Sequence, residues 1–599
     1  MEYELSVLRH SLQHVMVLAV RRIFGAHVQL GVGPVIDDGF YQDFAEPIGP
    51  EVFPRIQDEM RKIISEDLPI ARAEVEWQEA RDFFAAESQA YKVALLDDIM
   101  QHGTSLVSKD ASAERVEVQD LTQSGKVSLY SIGIHRDLCR GPHVARTSEL
   151  GAMAFQLDRV AGAYWRGDEK QPMLCRLYAL AFAEEGALKE HLDRRDEAAL
   201  RDHRKLGEQL GLFMFHESAP GMPYWLPKGM KVRNALIQYW RQYHEERGYQ
   251  EIQSPVLNKR ELWEISGHWA HYHEDMVCAS LHGAEWALKP MNCCNAMVVY
   301  KSRIRSYREL PLRLSDIDLL HRNERPGSLL GLMRTRCFQQ DDSHNFVAES
   351  QIKEEIERIL AIVRDFYAVF ALADKVKLYL STRPDAYMGD AATWQRAEEE
   401  LHALLIGSGF KFGVKPKDGA FYGPKIDIHL EDCLGREWQC GTIQLDFQLP
   451  RNFGLEYVGE DGARHTPVVI HRVIYGSLER FIGILIEHFA GRFPFWIAPE
   501  QVRVLTVGPA MEEYAAQVIV VLRSTILEQP LRHNELRWSC DSSPENLGKK
   551  IRLAEVDKVP VVLVLGKREA AEKMVALRYA GESRKLSLAE LPRFLAEIR

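Results

Sequence analysis

Hydrophobic and polar positions follow distinct rhythms in successive stretches of this chain. Up to about residue 180, an amphipathic opening helix gives way to turn-rich strand patterns such as Gly31–Gly39 and Ala161–Asp168. From about 183 to 211, acidic and basic residues interleave with few β-branched ones, which predicts one long charged helix running between domains. From about 212 to 495, helical patterns alternate with aromatic and β-branched runs, among them Phe421–Leu430 and Ile443–Phe447. That alternation predicts a large antiparallel sheet backed by helices. After Pro499 the period changes. Val502–Val507, a helix, Arg537–Cys540, a helix and Val559–Leu565 have the β-α-β-α-β rhythm of a small α/β domain. No internal repeat or low-complexity tract intervenes. The expected fold is multidomain α+β, divided as residues 1–182, a linker helix over 183–211, a large domain over 212–497 and a small α/β domain over 498–599.

Length supports the division, because 599 residues exceed what one hydrophobic core can organise. With 46% hydrophobic and 27% charged residues the composition is that of a globular protein. No stretch approaches the roughly 18 apolar residues of a membrane span. The early apolar run Val15–Val20 lacks a cleavage-like site and meets Arg21 and Arg22 at once, so a signal peptide is a poor reading. Nine unevenly spaced cysteines suit reduced thiols and metal ligands of a cytoplasmic protein better than a disulfide framework. A net charge of −11 offers no global pull toward nucleic acid, so any RNA contact must come from local basic surfaces.

Two groups of residues carry candidate chemistry. His10-Ser-Leu-Gln-His14 sets two imidazoles one helical turn apart on one face, and Cys139-Arg-Gly-Pro-His143 follows far downstream. Gly141-Pro142 excludes a helix there, so Cys139 and His143 must meet through a turn. The four could be a tetrahedral zinc set, local packing, or one polar hydrolytic pocket. Farther on, Cys293, His344 and His471 are too scattered to be read as a metal site from spacing. The second group is arginine-rich. His321-Arg-Asn-Glu324 precedes a loop with Pro326, Gly327 and Gly331, then Arg334 and Arg336 to Phe338. This predicts a strand–loop–strand hairpin presenting guanidinium forks to something planar and anionic.

Taken in order, Lys289–Cys293, Leu310–Arg313, His321–Glu324, Gly331–Arg334, Gln340–His344, Gly423-Pro-Lys425, Gln439–Gln444, His471-Arg472 and Gly476–Arg480 resemble threonyl-tRNA synthetases of the bacterial type. The resemblance runs from about residue 7 to the C-terminus. It implies a class II synthetase catalytic domain built on an antiparallel sheet, an N-terminal α+β editing domain and a C-terminal α/β anticodon-binding domain. Members of the family usually begin with a further small β-rich domain, which this chain is expected to lack. The reaction implied is activation of threonine by ATP and its transfer to tRNA(Thr), with Mg²⁺ accompanying ATP. Arg322 would meet the α-phosphate, Arg334 and Arg480 the β/γ end, and Phe338 and Arg480 the adenine, with Glu324 beside them and Lys425 also in a catalytic role. Met291, Asp342, Gln340, Tyr422, Gln439, Gln444, Ser477 and His268 would bind substrate. One zinc per chain would be held by Cys293, His344 and His471, with Asp342 placed for the substrate hydroxyl proton.

A site built around a hydroxyl rejects valine, but serine lacks only a methyl, worth about 1–3 kcal/mol. Hydrolytic editing is therefore required, and His10, His14, Lys92, Asp137, Cys139 and His143 match the family's metal-free editing pocket. The resemblance also implies a homodimer, with Pro255 at the first class motif. Three stretches depart from the family pattern. Cys294-Asn295-Ala296 follows the zinc cysteine in place of Pro-Gly-His. Leu330 and Cys337 replace a His and a Gly around the adenine loop. Asp541-Ser-Ser-Pro-Glu-Asn546 and Ala580 stand where basic anticodon contacts are usual. The rival readings are a divergent paralogue that binds RNA as a regulator, or an enzyme delivering the activated amino acid to a non-tRNA acceptor.

Overall fold

The computed structural model describes residues 3–102, 125–168, 170–433, 435–527, 530–532 and 534–598. Two compact units emerge, Met1–Asp196 and Glu197–Arg599. No helix among the described residues is long and apolar enough to cross a membrane.

The first unit is organised around the helix Leu5–Phe24. Its residues from Leu12 to Val20 are nearly all buried because the helix is covered from several sides. The helix Phe53–Ser65 and the strand Gly39–Phe44 pack against it. Gly39–Phe44, Met173–Phe182 and Ala154–Tyr164 form an antiparallel sheet with the short strand Val35–Ile36 at its edge. A smaller sheet, Ile70–Glu76, Lys126–Ile132 and His135–Leu138, ends immediately before Cys139.

The expected single helix over 183–211 is not what forms. Glu185–Arg201 and His203–Gln209 are separate helices. Asp202 leaves helical geometry and its carboxylate accepts the Arg204 N–H at 2.8 Å, capping a new helix instead of continuing the old one. His203 adds to the break, since its ring is buried against Glu487 at 2.7 Å.

The second unit holds a nine-stranded sheet. Its centre is Cys337–Val347, Val468–Ser477, Glu437–Asp446 and Lys425–Glu431, all antiparallel; parallel pairs occur only at its two ends. The helices Ile352–Val369 and Leu478–His488 cover one face of this sheet and bury their apolar stripes there. Beyond residue 500, Val502–Thr506 lies between Trp538–Asp541 and Val561–Leu565, all parallel, which bears out the predicted β-α-β-α-β order. Two strands not expected from the pattern, Met574–Tyr579 and Glu582–Ser587, extend that sheet antiparallel.

Candidate functional site

In the first unit, His10 and His14 project from adjacent turns of the opening helix toward Cys139 and His143. The ligand atoms of all four lie within 4.8 Å of one another. Cys139 Sγ is 3.3 Å from His10 Nε2 and 3.2 Å from His143 Nε2. His143 Nδ1 is 3.3 Å from the Ser11 hydroxyl. As the sequence predicts, Cys139 and His143 meet without a helix. Gly141 has φ +73°, and a Cβ there would collide with the Tyr130 side chain, so glycine is required. Lys92 pairs with Asp137 at 2.7 Å, and the other Asp137 oxygen is 3.8 Å from His14 Nδ1. A cavity of about 370 Å³ opens onto His10, His14, Lys92, Asp137 and Cys139, with Gln13 and Gln42, hydrogen-bonded to each other, on its wall. Burial pushes the His10 imidazole down to about 4 and His143 to about 2, and it pushes the Cys139 thiol up to about 12. Apart from the Lys92–Asp137 pair these groups are neutral near pH 7. They can orient and polarise a small nucleophile without attracting charge.

The second site is built by strand alternation. Gln340, Asp342 and His344 occupy every second position of one central strand. His471 and Val473 do so on its neighbour, and Thr442, Gln444 and Asp446 on the next. These residues share one face, and most of them line a cavity of about 290 Å³ with Met291, Cys293, Arg322, Tyr422 and Lys425. Arg322, Gln340, Thr442 and Gln444 also border a second cavity of about 240 Å³, lined by Glu324, Arg334, Phe338, Gln439, Ser477 and Arg480. The two cavities are thus neighbouring lobes of one cleft.

The predicted arginine hairpin is present. Leu319–His321 pairs with the start of Cys337–Val347, His321 opposite Cys337. Arg322 lies over Phe338, 5.1 Å from the ring centroid. Arg334 is held by Glu324 at 2.8 Å. Arg480 donates from Nε to the Met333 carbonyl at 2.8 Å and from Nη1 to the Gln439 carbonyl at 2.6 Å. Ser477 caps the helix carrying Arg480. Gly476 has φ +84° at this turn and passes so close to the Cys440 carbonyl that a Cβ would lie 2.1 Å from it. Lys425 pairs with Asp427 at 2.9 Å, and the Tyr422 hydroxyl bonds the Gln444 side chain.

Cys293, His344 and His471 all border the first lobe, and the two imidazoles are 5.0 Å apart in edge-to-face contact. Their ligand atoms are not drawn together as tightly as those of His10, His14, Cys139 and His143. Among the described residues, the group containing Cys293 that meets the same 4.8 Å span is His268–Cys293–Cys294. The chemistry of the trio nevertheless fits a cation. Among the described residues, His344 Nδ1 is buried without a partner, and so are Asn292 Oδ1 and both oxygens of Asp316. His471 Nε2 is held by Asp446 at 2.9 Å, which leaves Nδ1 for a metal. Burial raises the Asp342 carboxyl to about 6 and drives His344 well below its usual value, so His344 is a neutral imidazole able to ligate a cation. His268 does not line the cavity. It is fully buried, with Nε2 3.2 Å from Met291 Sδ.

Sequence reasoning missed several residues. Asp446 could have been found, since it continues the Thr442–Gln444 alternation on the same face. Asp316 lies opposite Asp342 in the neighbouring strand, a pairing no local pattern announces. His203 accepts the Leu332 N–H at 3.0 Å through Nε2 while Nδ1 meets Glu487, and so fixes the loop that carries Arg334. Its partners lie more than 100 residues away.

Comparisons with known proteins agree with this geometry. Residues 277–489 match the tRNA synthetase class II core domain (G, H, P, S and T), residues 127–178 the threonyl and alanyl tRNA synthetase second additional domain, and residues 501–598 the anticodon binding domain. The chain is 45% identical over 598 residues to the threonine–tRNA ligase of Carboxydothermus hydrogenoformans, covering 99% of this chain and 89% of that protein. It is 46% identical over 579 residues to that of Desulforamulus reducens, covering 96% and 86%. A crystal structure described as the RNA binding domain of threonyl-tRNA synthetase from Cryptosporidium parvum superposes with a TM-score of 0.62 at 40% identity, over 66% of this chain and 98% of that one. With 45% identity over 99% of its length to such a relative, and with core, second additional and anticodon-binding segments all matched, the chain belongs to the threonyl-tRNA synthetase family.

Proposed function

We propose that the protein is a threonine–tRNA ligase of the cytoplasm, activating threonine with ATP in the two-lobed cleft and hydrolysing seryl-tRNA(Thr) in the cleft of the first unit. The observation that carries this reading is the junction of the two lobes. Arg322, Gln340 and Gln444 border both, so an amino acid in the first lobe would present its carboxylate to the α-phosphate of a nucleotide in the second. Activation needs the carboxylate and phosphorus held in line and the developing charge offset, which suits Arg322 at the junction and Arg334 and Arg480 at the far end. Phe338 and Arg480 would take the adenine, Glu324 would orient the nucleotide's surroundings, and Mg²⁺ would enter with ATP. Met291, Tyr422, Lys425 and Asp342 would surround the amino acid, with Gln439, Ser477 and His268 nearby. Zinc bound by Cys293, His344 and His471 would supply an open coordination position that favours a hydroxyl-bearing side chain.

In the editing cleft, His10, His14, Cys139 and His143 would orient the hydrolytic water beside Lys92 and Asp137. A metal-free reaction is favoured because His10 and His143 already partner Cys139, with His14 packed against both rings. The domain division proposed is 1–182, 183–211, 212–497 and 498–599, with a homodimer forming at the sheet edge that ends in Gln250–Glu251, near Pro255. Threonine-dependent ATP–pyrophosphate exchange followed by charging of total tRNA tests the central claim. Absence of exchange would sink it, and exchange without charging would point to another acceptor.

Anticodon reading is proposed to be weak. Ser543 is bonded to Asp541, Asn546 caps the helix Leu547–Val556, and Ala580 sits at φ 51° in a hairpin turn, so all three serve local structure. One lost bidentate base contact removes about 1–3 kcal/mol of discrimination. Substituting the middle anticodon base should therefore lower kcat/KM by less than about 10³-fold; a larger loss would show that other residues read it.

A further inference from the structure

We propose that Asp427 is a positioning residue shared by the two lobes of the activation cleft, its carboxylate coupling the binding of the amino acid to that of ATP. This rests on the activation chemistry proposed above and assigns a role to a residue that borders neither lobe. Asp427 is fully buried on the strand Lys425–Glu431. Alternation puts it on the same face as Lys425. Across the strand pair it meets Thr442, which borders both lobes.

The two oxygens of Asp427 hold different lobes. Oδ2 accepts from the Lys425 ammonium at 2.9 Å and from the Ser381 hydroxyl at 2.7 Å, while Oδ1 accepts from the Gln439 side-chain amide at 2.6 Å. Lys425 lines the first lobe and Gln439 the second, and neither lines both. Gln439 reaches the carboxylate because the pairing of Lys425–Glu431 with Glu437–Asp446 slips by one residue. Ile428 lies opposite Gly441, but His429 lies opposite Gln439, so Cys440 is the extra residue of a bulge. Strict alternation from Gln444 and Thr442 would have given the cleft face to Cys440, which instead belongs to the hydrophobic core. The Gln439 carbonyl also accepts from Arg480 Nη1 at 2.6 Å, which carries the link to the far end of the nucleotide lobe.

A carboxylate is a rigid plane, so its two oxygens move together. A ligand that engages Lys425 orders that plane, and the second ligand then finds Gln439 already held, so the ordering cost is met once for both. In the empty cleft Asp427 compensates the Lys425 charge from behind, and Asp418 faces the same ammonium at 3.4 Å from the wall of the first lobe. An amide cannot replace the carboxylate. Asparagine at 427 offers one acceptor and one donor on opposite sides of its carbonyl carbon, so it can accept from Lys425 or from Gln439 but not from both.

The test measures, on the full-length protein, threonine affinity with and without a non-hydrolysable ATP analogue, and the analogue's affinity with and without threonine. In the parent each ligand should tighten the other by the same factor, about fivefold or more. Asp427→Asn should bring that factor below about twofold and lower kcat for pyrophosphate exchange by about 10²-fold. Its loss of threonine affinity should not add to that of Lys425→Met, because Asp427 acts on the amino acid through that ammonium. A merely structural role would weaken both ligands and leave their coupling standing. A parent without coupling, coupling that survives in Asp427→Asn, or losses that multiply with Lys425→Met each overturn the proposal. If Asp427→Asn does not fold, Gln439→Leu decides, since it cuts the same link: the coupling must fall there too, and coupling retained overturns the proposal. A parent without threonine-dependent exchange overturns the proposed function as well, whereas exchange with intact coupling in Asp427→Asn overturns this inference alone.

Discussion

The two clefts of this protein use the same side-chain types in opposite electrostatic settings. In the first unit, His10 and His143 contact Cys139 at 3.3 and 3.2 Å, His14 packs against both of their rings, and Lys92 and Asp137 cancel at 2.7 Å. In the second unit, His344 and His471 sit among buried carboxylates. Among the described residues His344 Nδ1 and both Asp316 oxygens have no partner, and Asp446 braces His471. A neutral, self-satisfied cluster has nothing to gain from a cation and suits a water that must be oriented. Unsatisfied nitrogens backed by carboxylates are poised for one. Donor identity alone thus does not decide whether a His/Cys cluster is a metal site; its hydrogen-bond accounting does.

The largest effect expected is on activation. Arg322→Ala should cut threonine-dependent ATP–pyrophosphate exchange by about 10³-fold, the scale of losing one preorganised charge donor. Seryl-tRNA deacylation should be unchanged, and a parallel fall would mean the clefts are not independent. Next comes the editing cleft. Cys139→Ala and His14→Ala should each slow seryl-tRNA hydrolysis by about 10²-fold, with exchange intact. If both rates are untouched, the cluster is only packing.

A smaller effect sharpens the contrast in bracing. Asp446→Asn should weaken zinc retention by about 10–100-fold in chelator competition, because His471 loses its carboxylate. Zinc content should be unaffected by His10→Ala, and a fall there would place the metal in the wrong cleft.

The smallest effect is a flat pH profile. An ordinary imidazole near 6.5 would lose roughly tenfold of its neutral form between pH 7.5 and 5.5. With His10 near 4 and His143 near 2, single-turnover deacylation should change less than about twofold across that interval. Stability follows the same sign. Folded-state values below 6.5 mean the unfolded chain binds more protons between pH 6.5 and 4, so the stability present above 6.5 is lost as pH falls. Calorimetry should show the melting temperature falling on acidification through that window. A rise would show that these imidazoles are charged in the folded protein.

Much of this was legible in one dimension. Aromatic and β-branched runs announced the central sheet, and the change of rhythm after Pro499 announced the last domain. The i, i+4 spacing of His10 and His14 sets both imidazoles on one helical face whatever surrounds them, because local geometry follows from backbone periodicity. The arginine hairpin was legible for the same reason, its strands being close in sequence. What local pattern could not supply was partnership between distant segments. Asp202 ended the linker helix because its carboxylate captured the Arg204 amide and His203 found Glu487, a residue 284 positions away. The braces around His344 and His471 were decided in the same way, by Asp446 beside His471 across neighbouring strands and Asp316 opposite Asp342. Periodicity is a property of the chain, whereas the satisfaction of buried polar atoms is settled only when strands and helices distant in sequence are packed together.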